Sequence, residues 1–111
     1  MDSRLRLALQ FVTAHCAEHL TVSLVARQLG LSCSRFEHLF RQETGTTFRR
    51  GLREIRVRRA AALLADPRLR VKEVAAHCGY DRTCDLTRAF KAVLGLSPSQ
   101  RRDAVARQAN K

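Results

Sequence analysis

Apolar residues recur along this chain at steps of three and four, the period of amphipathic helices rather than of strands. Over residues 4–19, Leu5, Ala8, Val12 and Cys16 share one face, widened by Leu7 and Phe11, and predict a first helix. Thr21 then stands where an N-cap would, ahead of Val22, Val25, Ala26 and Leu29. Gly30 is placed to end this second helix as a C′ glycine. After a brief turn at Leu31 and Ser32, a third helix of about ten residues turns Phe36, Leu39 and Phe40 inward and closes at Gly45. No alternating run of β-branched residues bounded by turn signals occurs, so the fold class expected is all-α.

The stretch Thr46 to Ala65 reads as one long connector helix whose apolar stripe changes sides. At about 100° per residue, Phe48, Leu52 and Ile55 fall on one side, and Val57, Ala60, Ala61 and Leu64 on roughly the opposite one. A single core cannot satisfy such a helix; it requires one hydrophobic partner before it and another after it. Asp66-Pro67 stops it, because proline disfavours the helical region for the preceding residue.

The chain beyond the connector repeats the pattern of the chain ahead of it. Val71, Val74, Ala75 and Cys78 restore the second helix's spacing, and 49 residues separate Val22 from Val71 and Gly30 from Gly79. Leu86, Ala89, Phe90 and Gly95 each stand 50 residues beyond Phe36, Leu39, Phe40 and Gly45, so the second turn is one residue longer. Ser97, Pro98 and Gln100 supply N-cap, N1 and N3 of a last helix, a capping box. The organisation expected is a first helix-turn-helix lobe at 4–45, a connector at 46–65, a second lobe at 66–106 and a frayed tail at 107–111.

Charge sharpens the functional reading. Lys plus Arg number 21 against 10 acids, a net of +11 in 111 residues, which points to a polyanionic partner. Two helix-turn-helix patterns flanking an arginine-rich connector make double-stranded DNA the expected partner, ahead of an anionic membrane surface, since the second helix of the motif enters the major groove. The four cysteines (Cys16, Cys33, Cys78, Cys84) lack zinc-site spacing, and His15 and His19 at i, i+4 match no common metal pattern, so no metal and no cofactor are expected. No phosphate loop, HExxH or nucleophile elbow is present, and an enzyme is not expected. The N-terminal stretch MDSRLRLALQF is too short and too charged for a signal h-region, and no apolar run reaches the ~18 residues of a membrane span. Reduced thiols in the cytoplasm and no membrane partner are expected.

From Val22 to Arg102 the chain resembles the DNA-binding domain of AraC/XylS-type bacterial transcription regulators. The motifs are AxxLGLS over Ala26–Ser32, LFRQETG over Leu39–Gly45, the connector's REIRVRRAAALL, then VKEVAAHCGY, LTRAFKAVLGLSPS and the following RR. The resemblance implies about seven helices, with recognition helices at about 33–42 and 83–93 in successive major grooves of one DNA face. Twenty connector residues would span ~30 Å at ~1.5 Å each, against a DNA repeat of ~34–36 Å.

With the inward faces assigned, base readout falls to Ser34, Glu37 and His38 in the first lobe and to Thr83, Cys84, Thr87 and Arg88 in the second. The family's base contacts match these positions. Arg88 suits guanine O6/N7, Glu37 the cytosine amine and Thr87 a thymine methyl. Phosphate contact falls to Arg41, Arg49, Arg50, Arg82 and Lys91, with helix-start amides adding to it. Arg53, Arg56, Arg58 and Arg59 suit a solvated or internally paired face equally well.

The chain departs from the family pattern at Gly51 and at Arg101, where aromatics are usual, and at Arg82 and Asp85 in the second turn. Gly51 inside a helix is expected to cost about 1 kcal/mol relative to Ala. Asp85 suits the helix start but repels phosphate. These two residues support an alternative, a protein-interaction module that contacts RNA polymerase or another regulator without reading bases. The chain is expected to be monomeric, and either a small standalone regulator controlled by its abundance or a domain of a longer protein.

Overall fold

The computed structural model describes residues 2–109, which form seven α-helices and no strand. They are α1 (Ser3–Ala14), α2 (Val22–Gln28), α3 (Cys33–Thr44), α4 (Phe48–Leu63), α5 (Val71–His77), α6 (Thr83–Leu94) and α7 (Pro98–Ala109). Two compact units divide between Ile55 and Arg56, within α4. The connector is helical over 16 residues rather than twenty: Thr47 caps its start by accepting the Arg50 N–H at 3.2 Å, and its end tightens into turns in which Ala65 and Asp66 N–H reach the Ala62 and Leu63 carbonyls. The predicted change of face is present: Phe48 and Leu52 are buried in the first core, Val57, Ala60 and Leu64 in the second.

In the first unit α1 ends at Ala14, five residues before the periodicity predicts. His15 leaves the helical path, its ring against Phe11 at 4.6 Å, and the Glu18 N–H closes a turn onto the His15 carbonyl. Cys16 and Leu20 still reach the core, from irregular backbone rather than from the helix. The centre of this core is aromatic. Phe36, Phe40 and Phe48 meet with centroids 5.5–5.9 Å apart, two of the three contacts edge-on, the arrangement ring quadrupoles favour.

Gly51 belongs to this packing. A Cβ there would stand 2.6 Å from Cζ of Phe40, so the missing side chain is what lets the ring lie against α4. The expected helix penalty is therefore offset by a contact that only glycine permits, and Gly51 lends nothing to the reading of a degenerate repeat.

The second core is mostly aliphatic, with Leu64, Val74 and Leu86 fully buried around a single buried phenylalanine, Phe90. Glu73 supports the start of α5, its carboxylate accepting both the N–H and the Nε–H of Arg70 at 3.1 and 3.2 Å. Arg102 donates from Nε to the Leu64 carbonyl and from Nη2 to the Asp66 carbonyl, both at 3.3 Å; the first serves an acceptor left over where α4 ends, and the second adds to the Leu69 N–H that the Asp66 carbonyl already accepts at 3.2 Å. The Ser97–Gln100 capping box is present, with reciprocal bonds of 2.8 and 3.1 Å. Residues 107–109, predicted to fray, belong to α7, while 110 and 111 lie outside the described residues.

Candidate nucleic-acid interface

Each turn between the paired helices is fixed by the same two bonds. In the first unit Leu31 N–H reaches the Ala26 carbonyl at 3.0 Å and Gly30 N–H that of Arg27 at 3.1 Å. In the second, Tyr80 N–H reaches Ala75 at 2.9 Å and Gly79 N–H reaches Ala76 at 3.2 Å. This is a Schellman closure, and it needs the left-handed backbone that Gly30 (φ 70°) and Gly79 (φ 88°) provide. Leu31 and Tyr80 then pack onto their own cores, which sets the direction in which α3 and α6 leave the turn.

Burying Phe36 and Phe40 on one side of α3 turns Ser34, His38 and Arg41 outward, with Glu37 half-buried beside them. Glu37, His38 and Arg41 share a shallow depression of about 400 Å³ with Thr47, at the start of α4. Arg49 and Arg50 are exposed on the first turn of α4. Burying Leu86, Ala89 and Phe90 turns Thr83, Cys84, Arg88 and Lys91 outward on α6, with Thr87 half-buried and Arg82 exposed just ahead of the helix. The structure thus brings Ser34, Glu37, His38 and Arg41 onto one surface and Arg82, Thr83, Cys84, Thr87, Arg88 and Lys91 onto another.

The two helices begin differently. Ser32 Oγ accepts the Arg35 N–H at 3.2 Å at the start of α3, whereas Arg82 holds the N-cap of α6 without a side-chain bond. Asp85 occupies the first turn of α6, and its carboxylate lies 3.9 Å from Arg88 Nη1. That pairing escapes the sequence reading, although an acid and a base at i, i+3 on a helix signal it. Among the connector arginines, Arg56 lies 5.6 Å above the Tyr80 ring, an internal cation–π contact. The amides of Arg50 and Gln100 are taken by Thr47 and Ser97, and Pro98 has no N–H, so fewer helix-start amides remain for phosphate than expected.

Two glycine-closed turns, each followed by a helix with one buried and one polar face, define a helix-turn-helix domain. Residues 25–104 match the family model described as a helix-turn-helix domain. The arabinose operon regulatory protein of Salmonella typhimurium is 37% identical over 101 residues, 90% of this chain and 36% of that protein. The C-terminal domain of AraT, a response regulator from Geobacillus stearothermophilus, superposes with a TM-score of 0.87 at 34% identity, covering 93% of this chain and 86% of that one. The DNA-binding domain of AdpA, a global transcriptional factor solved in complex with a target DNA, gives 0.91 at 28% identity over 99% of both chains. The chain belongs to the AraC/XylS family and is its helix-turn-helix DNA-binding domain. It spans about a third of the length of the curated relatives it matches. No helix among the described residues is long and apolar enough to cross a membrane.

Proposed function

We propose that this domain binds double-stranded promoter DNA sequence-specifically as part of transcription regulation, with α3 and α6 entering successive major grooves. The observation that carries the reading is the pair of polar helix faces, each turned outward by a buried apolar face and a Schellman-closed turn. Ser34, Glu37 and His38 read bases in one groove and Thr83, Cys84, Thr87 and Arg88 in the next. Arg41, Arg49, Arg50, Arg82 and Lys91 hold phosphates. Side chains in the first half of a recognition helix meet base edges, and later basic residues fall nearer the backbone. The site engaged is asymmetric, because the two helices carry different side chains at matching positions, Glu37 against Thr87 and His38 against Arg88. The domain binds it as a monomer, in the cytoplasm.

Selection from randomised duplexes, followed by titration of the selected site against a scrambled one, tests this. A specificity ratio far above unity is expected. If roughly six to ten phosphates are neutralised, affinity falls by about 10³–10⁵ between 50 and 200 mM salt. Salt-sensitive binding with equal affinity for both duplexes would reduce the domain to a nonspecific binder.

A further inference from the structure

Asp85 is an unfavourable residue to hold against DNA. It adds negative charge to a helix face whose other charged members are cations, Arg82, Arg88 and Lys91. Its place in the first turn of α6 suits the helix dipole, but its pairing with Arg88 adds little stability. The ion pair with Arg88 is long at 3.9 Å, involves a guanidinium that is 81% exposed, and is of the kind that contributes little. The corresponding position on α3, 50 residues earlier, is Arg35, so the first unit does without an acid there.

Geometry supplies another role. Asp85 and Arg88 share one side of α6, and the nearest approach of the carboxylate to the guanidinium is 3.9 Å, at Nη1. A guanidinium carries five N–H groups in a rigid fork, and at 3.9 Å the carboxylate draws on its charge without taking any of them in a hydrogen bond, so the whole fork is free for an acceptor pair. An exposed arginine without a carboxylate beside it is equally able to swing to a phosphate, which lies on every sequence. We infer that Asp85 is a positioning residue for specificity: it holds Arg88 toward the base edges and away from the backbone, weakening overall affinity in exchange for discrimination at one base pair. The inference rests on the base-reading role proposed for Arg88.

The test measures binding of the wild type, D85N, D85A, R88A and the D85N/R88A double variant to the selected site, to the site changed at the base pair read by Arg88, and to scrambled duplex. D85N is expected to lower discrimination at that base pair by about three- to tenfold, part of the full bidentate preference. It should tighten scrambled DNA several-fold and steepen the salt dependence by about one counterion. In the R88A background the same change should leave discrimination untouched. Uniform loss on every duplex, with a lower melting temperature, would make Asp85 a helix-start residue only and overturn the inference. So would unchanged discrimination in D85N while the wild type still selects its site. A wild type that selects no sequence takes down the proposed function itself, and this inference with it.

Discussion

A Cβ at position 51 would stand 2.6 Å from Cζ and 3.0 Å from Cε1 of Phe40. That ring is only 3% exposed and is held edge-on by Phe48 at 5.7 Å, so it has little room to move aside. Two effects therefore oppose each other at one residue. Alanine in a helix interior gains about 1 kcal/mol over glycine, while overpacking a dense core costs about 1–3 kcal/mol.

Overpacking should win. Gly51→Ala is expected to lower the stability of the chain by about 1 kcal/mol, read as a shift in denaturant midpoint at unchanged slope. Phe40→Leu removes the obstructing atoms, and in that background the same alanine should be neutral or stabilising. A stabilising Gly51→Ala on its own would show that the ring yields.

Arg102 presents the reverse case, a surface-looking arginine with a structural task. Its two 3.3 Å bonds reach carbonyls at Leu64 and Asp66. Arg102→Ala should cost about 1–3 kcal/mol, since hydrogen bonds from a charged donor exceed the average bond and the Leu64 carbonyl would lose its donor. The adjacent Arg101 is exposed, and Arg101→Ala should stay within about 0.5 kcal/mol. Thermal melts of the two variants provide the comparison.

These two sites mark where reading the sequence runs out. Helix period, capping residues and the 49- and 50-residue offsets are local patterns, and they place the second to seventh helices and the change of face in α4 from residues alone. Outward-facing positions on α3 and α6 come from the same period, because naming Phe36, Phe40, Leu86 and Phe90 as core leaves Ser34, His38, Arg88 and Lys91 outside. The end of α1 is not legible, since Cys16 keeps helical spacing while its backbone has already left the helix. Gly51 and Arg102 are not legible for a stronger reason. Their partners are 11 and 36–38 residues away, and nothing in a one-dimensional pattern selects them.

Acid should destabilise the domain partly through two half-buried carboxylates, Glu73 and Asp66. The backbone N–H of Arg70, then its side chain, hold Glu73 below the ordinary carboxylate value; the side chain of Arg68, then its N–H, do the same for Asp66. A depressed folded pKa means that the unfolded chain takes up the proton first as pH falls. The stabilisation is complete above the unfolded pKa and is lost as pH drops through the lower folded value. Glu73→Gln and Asp66→Asn should therefore each flatten the acid limb of a stability profile while leaving its slope near neutrality unchanged. An acid limb as steep as the wild type's in both variants would mean that these pairings do not persist in solution.

The assignment of base and backbone roles is tested by contrasting Arg88 with Arg41. Arg88 lies in the first half of α6 among the residues proposed to face base edges, whereas Arg41 lies in the last turn of α3. A bidentate arginine–guanine contact contributes about 1–3 kcal/mol of discrimination against the wrong base. Arg88→Ala should therefore lose that much on the selected site and almost nothing on a site already mutated at the contacted base pair, which relaxes specificity in one half-site only. A phosphate contact carries no sequence information, so Arg41→Ala should weaken all duplexes alike and lower the salt slope by about one. Both variants retain their buried neighbours, and unchanged melting temperatures would confirm that the losses arise at the interface. If both act uniformly on every duplex, α6 holds the backbone rather than reading bases, and sequence preference must come from α3 or from the shape of the DNA.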